Sequence, residues 1–154
     1  MPKQSTGILI YRIRSGSAEV LLAHPGGPFW TSRDRGAWSI PKGEVGDHEK
    51  AIEAAIREVW EETGLQVAGP MTELRPIQQK SGKRVLAWAW KGDFNPEALR
   101  SNTFRMEWPP GSGHLRDFPE IDRVGWFSLQ EAKRKIIPGQ IPLLNELAAL
   151  LMAT

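Results

Sequence analysis

One segment of the sequence predicts its own structure more firmly than any other. Between residues 43 and 65, apolar side chains recur at i, i+3, i+4 and i+7, the spacing that aligns them along one face of an α-helix. These residues are Ile52, Ala55, Ile56 and Val59. We therefore predict an amphipathic helix over residues 48–62. Asp47 is a suitable N-cap and Gly64 a suitable end, because a short polar side chain caps free amides and glycine readily closes a helix.

The same segment is acidic in a chain that is otherwise basic. Residues 44–62 hold seven carboxylates against two basic side chains, a net charge of −5, so the remainder carries +7 to give the total of +2. Glu58, Glu61 and Glu62 are spaced i, i+3 and i+4, so they share one helical face and repel one another. Such a group is either a solvated surface, with Arg57 offsetting part of the repulsion and Glu53 as its structural partner, or a site for Mg²⁺ or Mn²⁺.

A longer pattern around this helix favours the metal site. From Gly43 the sequence reads GEVGDHEKAIEAAIREVWEETGL, which resembles the signature of the Nudix (MutT-like) hydrolases, G-x5-E-x7-R-E-U-x-E-E-x-G-U with U apolar. The residues at its defined positions are Gly43, Glu49, Arg57, Glu58, Val59, Glu61, Glu62, Gly64 and Leu65. A lead-in of Trp38, Pro41 and Lys42 also fits the family.

The resemblance implies a fold and a reaction. The expected fold class is α/β, a mixed β-sheet sandwiched between helices (α/β/α), and we expect one such domain over residues 1–154. Members hydrolyse a nucleoside diphosphate linked to another group, with Mg²⁺ or Mn²⁺. Divalent ions neutralise phosphate oxygens and activate a bound water, so no covalent nucleophile is needed. The absence of Cys from the chain agrees with this chemistry.

The resemblance also implies roles for single residues. The expected metal ligands are the carboxylates of Glu58, Glu61 and Glu62 and the backbone carbonyl of Gly43. Glu49 is expected to orient Arg57 or to reach the metal site through water. All of these except Gly43 are also expected to serve catalysis.

A general base is expected outside the motif, as in several family members. Glu120 is the first candidate because it precedes the strand that ends at residues 126–127. A loop carboxylate paired with Arg123 is the alternative interpretation of Glu120. Glu107 and Asp117 are weaker candidates for the base, and a glutamate of the motif is another.

Positive and aromatic side chains near the motif are candidates for substrate binding. The candidates are Lys42, Arg33, Arg35 and Trp30. Lysine and arginine suit phosphate oxygens, although the two arginines are equally well explained by solubility. Trp30, Phe29 and Trp108 lie in or beside loops, where an aromatic ring can stack on a nucleobase. Lys83 and Arg84 follow a tight turn and could contribute to phosphate binding, but a surface position is the favoured interpretation.

The substrate is less constrained than the reaction. The lead-in and the turn Ser81-Gly82-Lys83 resemble diadenosine polyphosphate hydrolases of this superfamily, which makes a diadenosine polyphosphate the first candidate. The alternative is a nucleotide-pool sanitising enzyme for oxidised or non-standard (d)NTPs. A capped-RNA pyrophosphohydrolase is less favoured, because the chain has no basic run. An inactive Nudix-fold nucleotide-binding regulator is disfavoured, because all the carboxylates of the motif are present.

Composition narrows the setting. Without Cys there are no disulfides or thiolate metal sites, and the three histidines are too far apart in sequence for a His-x3-His zinc site. The apolar runs are too short to span a membrane, and no signal peptide is recognisable. We therefore expect a cytoplasmic protein, a monomer or homodimer, whose partner is a small phosphorylated nucleotide and neither nucleic acid nor membrane.

The remaining pattern predicts strands and helices around the acidic helix. Strands are expected at residues 6–13, 18–23, 72–79, 85–90, 103–108 and 124–127. Shorter helices are expected from Asn95 as N-cap to about residue 101, from the capping box that begins at Ser128, and over residues 142–152. Residues 24–38 and 109–119 are expected to be loops.

Overall fold

The structure is a computed structural model that describes residues 4–153. Its main sheet has the strand order β4-β6-β1-β2-β9, with β3 paired to β1 and β5 to β6. The strands of this sheet are β1 (Gln4–Arg14), β2 (Ser17–Pro25), β3 (Lys42–Glu44), β4 (Thr72–Glu73), β5 (Ile77–Gln78), β6 (Arg84–Lys91) and β9 (Ile121–Ser128). The sheet is mixed, because β1 runs parallel to β6 and antiparallel to β2 and β3.

Helices cover both faces of this sheet. Successive side chains of β1 point to opposite faces, so Ile8 packs in the cluster under one helix while Leu9 packs in the cluster under two others. The helices are α1 (Ala51–Thr63) on the first face, and α2 (Leu129–Lys135) and α3 (Ile141–Met152) on the second. The expected α/β/α fold is confirmed. Within the described residues, no helix is long and apolar enough to cross a membrane.

The predicted start of α1 is wrong. The helix begins at Ala51, Lys50 occupies the N-cap position without a side-chain cap, and His48 has a left-handed φ of 63°. Asp47 is therefore not the cap. The carboxylate of Glu49 instead accepts hydrogen bonds from the Gly46 amide and from Arg57, which holds residues 46–49 in a turn that the helix cannot include. At the other end Gly64, with a φ of 82°, closes the helix as predicted.

A second small sheet corrects the predicted loop over residues 109–119. Its strands are β7 (Thr103–Glu107) and β8 (Leu115–Pro119), which pair antiparallel, so only the tip of the hairpin is a loop. The predicted strand at 72–79 is divided into β4 and β5, with Pro76 between them. Proline lacks the amide hydrogen that a continuous ladder would need.

The predicted caps of the shorter helices are confirmed. Asn95 accepts a hydrogen bond from the Glu97 amide and begins a 3-10 turn over Pro96–Ala98. Ser128 accepts one from the Glu131 amide at the start of α2. The Glu131 carboxylate binds Arg134. Of the two hydrogen bonds that define a capping box, the one accepted by the serine is therefore the one observed at this helix.

Candidate active site

The site lies where α1 passes beneath β3. β3 is held against β1, where Gly43 is paired with Thr6, and the Thr6 hydroxyl donates a 2.8 Å hydrogen bond to the carbonyl of Ala51 at the start of α1. These contacts fix the distance between strand and helix. A Cβ on residue 43 would lie 2.0 Å from both Cδ and Oε2 of Glu58, so any larger residue requires this carboxyl group to move.

Two carboxyl groups of α1 are withdrawn from water at this junction. The pKa of Glu62 is raised to about 8, mainly by burial and also by the negative charges of Glu58 and Glu120, although a hydrogen bond from the Lys42 amide at 3.2 Å opposes the shift. Burial likewise raises the pKa of Glu58, against the opposing effect of Arg57. Both groups therefore resist ionisation unless positive charge is brought to them.

Arg57 gathers the other carboxylates. Its guanidinium contacts Glu49 through two hydrogen bonds, from Nε at 2.8 Å and from Nη2 at 3.0 Å. Its Nη1 donates to Glu58 Oε1 at 2.9 Å and to Glu61 Oε2 at 3.0 Å. These hydrogen bonds hold the pKa of Glu49 down at about 2 and raise the pKa of Arg57. Glu49 thus orients Arg57, and Glu53 is not the partner in this contact.

The arginine also sets the present arrangement of the acidic face. Its Nη1 lies between the carboxylates of Glu58 and Glu61 and compensates their charge. Across residues 4–153, no three His, Asp or Glu side chains are gathered closely enough to hold a metal ion. Glu61 faces Arg57 in this structure, while Glu62 faces the Lys42 amide.

A cavity of about 270 Å³ opens beside these carboxylates. It is lined by Ala23, Pro25, Trp30, Ala37, Ser39, Ile40, Lys42, Glu62, Glu120, Ile121 and Ile137. Glu120 stands between β8 and β9, where its amide donates to the Asn102 carbonyl and its carbonyl accepts from the Gly26 amide, both at 2.8 Å. The chain thus brings Glu120, which lies far from α1 in sequence, into one acidic group with Glu58 and Glu62.

Lys42 lines this cavity, and a second lysine acts on it through its charge. Burial lowers the pKa of Lys42, and the nearby positive charge of Lys83 lowers it further. Lys83 is half-buried and near enough to lower the pKa of Lys42, whereas Arg84 is exposed. β3 and the start of β6 pair with the same part of β1 from its two opposite edges, which places Lys42 and Lys83 in one region of the sheet.

The other sequence candidates lie farther from the carboxylates. Arg33 is exposed, with its guanidinium 5.5 Å from the ring centroid of Trp30, and Arg35 is exposed outside the lining of the cavity. Glu107 accepts a hydrogen bond from Gly111 at the hairpin tip, and Asp117 pairs with Arg105 at 3.1 Å.

Two buried polar residues support the site and were not singled out from the sequence. Gln140 accepts a hydrogen bond from the Ile40 amide and donates one to the Ser39 hydroxyl, both at 3.0 Å, which fixes the segment leading into β3. His24 is fully buried between Asp122, at 2.8 Å from Nδ1, and the carbonyl of Arg33. An isolated polar residue at the end of an apolar strand was the only sequence signal for His24.

The mixed sheet lies between helices, and partly buried glutamates of α1 lie beside β3, the strand that contains Gly43. This is the architecture of a phosphoanhydride hydrolase. A family model described as the NUDIX domain matches residues 1–147, and the chain belongs to this family. It is a Nudix pyrophosphohydrolase, an enzyme that acts on phosphoanhydride bonds. Enzymes of this family generally use divalent metal ions and act on small nucleotides.

Individual relatives agree with the family. The chain is 55% identical over 117 residues to an RNA pyrophosphohydrolase from Cereibacter sphaeroides, covering 73% of this chain and 72% of that protein. A crystal structure of a C. elegans Ap4A hydrolase binary complex is 25% identical, with a TM-score of 0.68 and 99% of both chains covered. The NUDIX domain of Shewanella oneidensis NrtR, complexed with ADP ribose, is 13% identical with a TM-score of 0.68, covering 98% of this chain and 89% of that one, and shows the fold alone.

Proposed function

We propose that this protein is a Mg²⁺- or Mn²⁺-dependent pyrophosphohydrolase whose preferred substrate is a dinucleoside polyphosphate of the diadenosine type. One observation carries the proposal. Glu58 lies against Gly43, and the buried carboxyl group of Glu62 lines a neighbouring cavity together with Lys42 and Glu120. Carboxylate oxygens and the positive charge of Lys42 thus lie beside a space that a phosphate chain can enter.

The residues present fit a hard divalent cation. Glu58 and Glu62 are carboxyl groups whose ionisation is opposed by burial, and their ionised forms are the ligands that Mg²⁺ and Mn²⁺ prefer. The missing Cβ at Gly43 lets the Glu58 carboxyl group lie against the backbone of β3. Glu58, Glu61, Glu62 and the Gly43 carbonyl would hold the metal, which supplies charge neutralisation and a more acidic water. Glu61 joins this set when its carboxylate leaves Arg57.

The positive side chains of the cavity bind the phosphate chain. Lys42 is half-buried beside Glu62, and Lys83 stands close to Lys42, so a phosphate oxygen between the two lysines relieves their mutual repulsion. Arg57 compensates the charge of Glu58 and Glu61 and is anchored by Glu49. These groups orient the substrate and offset its negative charge.

Glu120 is the proposed general base. Its carboxylate borders the cavity opposite Glu62, and it receives the proton of the water that attacks phosphorus. Glu107 and Asp117, the other two candidates, are engaged in contacts on the β7–β8 hairpin. We expect Glu120→Gln to lower kcat by at least about a hundredfold and to remove the acidic limb of the pH–rate profile. Glu107→Gln and Asp117→Asn are matched controls, and an unaltered profile in Glu120→Gln would exclude it as the base.

A second cavity supports a substrate with two nucleosides. It measures about 440 Å³ and lies between residues 78–81 and 137–139. Ile137 lines both cavities, so a phosphate chain held by Lys42 leads past Ile137 into this space. A nucleoside attached to that chain fits there. The likeness to a C. elegans Ap4A hydrolase over the full chain agrees with a diadenosine polyphosphate.

A 5′-triphosphorylated RNA end is the second candidate substrate. It is favoured by the relative from Cereibacter sphaeroides, which is an RNA pyrophosphohydrolase 55% identical to this chain. Sanitising of (d)NTPs is a third, weaker candidate. The proposal places the protein in the cytoplasm, where these nucleotides are found.

The decisive experiment is turnover of a nucleotide panel with Mg²⁺, with Mn²⁺ and with EDTA. The panel contains diadenosine tetraphosphate, 5′-triphosphorylated RNA, canonical and oxidised dNTPs, and ADP-ribose. We expect metal-dependent cleavage that Glu61→Gln and Glu62→Gln reduce by orders of magnitude, while the folded fraction is retained. Glu53→Gln is the matched control, because Glu53 is exposed on the same helix. If the wild-type protein cleaves none of these compounds with either metal, the proposal fails.

A further inference from the structure

An exposed aromatic surface borders the carboxylate cavity and has no part in the chemistry described so far. Trp30 lines the cavity yet is 41% exposed, and Phe29 beside it is 58% exposed. Phe29 meets Trp108 edge to face, with ring centroids 5.4 Å apart, so the loop after β2 and the β7–β8 hairpin share this surface. We call Phe29, Trp30 and Trp108 the aromatic rim.

The loop and the hairpin are held together by specific contacts beneath the rim. The Gly26 amide donates to the Glu120 carbonyl at 2.8 Å. Gly27, with a φ of 99°, leaves space for the ring of Phe104, which would lie 2.9 Å from a Cβ at that position. The Trp108 amide donates to the His114 carbonyl at 2.9 Å, which closes the hairpin under its ring. The rim is therefore preorganised, and a ligand that stacks on it loses little additional entropy.

The carboxylate cavity borders two different binding surfaces. Trp30 connects it to the aromatic rim, and Ile137 connects it to the second cavity. The Arg33 guanidinium lies 5.5 Å from the ring centroid of Trp30. It places a positive charge next to the rim, where a phosphate chain would arrive. Exposed aromatic side chains next to a cation are complementary to a nucleobase attached to phosphate.

We propose that the aromatic rim binds the nucleobase of the second nucleoside of a dinucleoside polyphosphate. This inference rests on the proposed function, in which the cavity at residues 78–81 and 137–139 takes the first nucleoside. In this proposal a mononucleotide occupies that cavity and leaves the rim uncovered. A 5′-triphosphorylated RNA carries nucleosides on one side of its phosphate chain only. A ligand with bases at both ends is the one that covers both surfaces.

The test compares two substrates with the same phosphate chain and different numbers of bases. Diadenosine tetraphosphate has two adenines, and adenosine 5′-tetraphosphate has one. We expect Trp30→Ala and Phe29→Ala to raise the ratio of the KM for the first to the KM for the second by roughly tenfold, the effect of losing one base–aromatic stack. Trp30→Phe, which keeps a stacking face, should restore the ratio. Trp60→Ala is the control, because Trp60 is 52% exposed on α1 outside the rim.

Other outcomes overturn the inference in recognisable ways. An equal rise in both KM values means that the rim binds the first nucleoside or only maintains the shape of the cavity. A rise confined to 5′-triphosphorylated RNA means that the rim binds an RNA strand. A change in oligomeric mass on Trp30→Ala means that the rim contacts a second copy of the chain. If the wild-type protein hydrolyses neither substrate, the proposed function fails; calorimetric binding of the two compounds with Ca²⁺ then tests the rim separately, and equal loss of affinity for both overturns it.

Discussion

Gly43 lies so close to Glu58 that a single added carbon would overlap the carboxyl group: a Cβ at residue 43 would fall 2.0 Å from Glu58 Oε2. The contact joins β3 to α1 and buries Glu58, and burial raises the pKa of this group. The glycine at the first position of the motif is therefore a packing requirement as well as a source of a backbone carbonyl.

Replacing Gly43 by alanine should destabilise the protein by about 1–3 kcal/mol, because Glu58 or β3 must move to admit the methyl group. The measurement is urea denaturation of Gly43→Ala, Glu58→Ala and the double variant. Glu58→Ala removes the atoms that the new Cβ would meet, so alanine at residue 43 should cost less in that background. An equal cost with and without the Glu58 side chain would show that the overlap is not the cause.

The pair formed by Glu49 and Arg57 predicts a dependence of stability on acid. The pKa of Glu49 is lowered to about 2 in the folded protein, so its ionised form stabilises the native state. That contribution is fully present above the unfolded pKa of about 4.5 and is lost as the pH falls toward 2. Glu49→Gln should therefore lower the midpoint of thermal unfolding at pH 7, and the difference from wild type should shrink at acid pH.

The control for this experiment lies on the same helix. Glu53 is exposed, and the Arg57 guanidinium binds Glu49 instead. Glu53→Gln should therefore change the midpoint of thermal unfolding by at most about a degree or two. A difference between wild type and Glu49→Gln that stays constant from pH 7 to pH 2.5 would contradict the assignment. The stability would then come from packing and not from the ionised pair.

Local sequence patterns predicted the parts of the site that are themselves local. The spacing of Glu58, Glu61 and Glu62 gave one helical face, because a period of 3.6 residues is fixed by the backbone. The predicted start of α1 was wrong. Asp47 is a good local cap, but the hydrogen bond between the Glu49 carboxylate and Arg57 stabilises a different conformation of the residues before the helix. Capping preference is a small contribution that such contacts override.

Contacts between distant parts of the chain had no local signal. The pairing of both β3 and β6 with β1 brings the charge of Lys83 to bear on Lys42, and a tight turn alone predicted only that Lys83 follows it. The hydrogen bond from Ile40 to Gln140 spans a hundred residues of sequence. Glu120 was identified through the family resemblance, and the charge that it exerts on Glu58 and Glu62 came only from the fold.

Burial of Glu62 predicts the opposite pH dependence from that of Glu49, in a higher range. The folded pKa of about 8 exceeds the unfolded value of about 4.5, so the native state binds the proton more tightly. The free energy of unfolding of the metal-free protein should therefore rise as the pH is lowered from about 8 to about 4.5, by on the order of a few kcal/mol. Urea denaturation in EDTA at pH 8 and pH 5 measures this rise.

The variant Glu62→Gln isolates the contribution of this one carboxyl group. Glutamine has nearly the same shape and no charge at either pH, so most of the rise should disappear. The variant should also be more stable than wild type at pH 8 when metal is absent. Parallel behaviour of the two proteins between pH 5 and pH 8 would mean that Glu62 ionises as freely as an exposed glutamate.

Gln140 predicts an effect of a buried side chain that never touches the substrate. Its Oε1 accepts from the Ile40 amide and its Nε2 donates to Ser39, so it fixes the segment that ends at Lys42, whose amide binds Glu62. Gln140→Met fills a similar volume and leaves the Ile40 amide without an acceptor, which should cost about 1–3 kcal/mol. It should also lower kcat for nucleotide hydrolysis, because Lys42 and Glu62 lose their common support. Gln130→Met, at an exposed position of α2, is the matched control. If Gln140→Met loses stability but keeps kcat, the segment is held by its backbone alone and Gln140 has no positioning effect on the site.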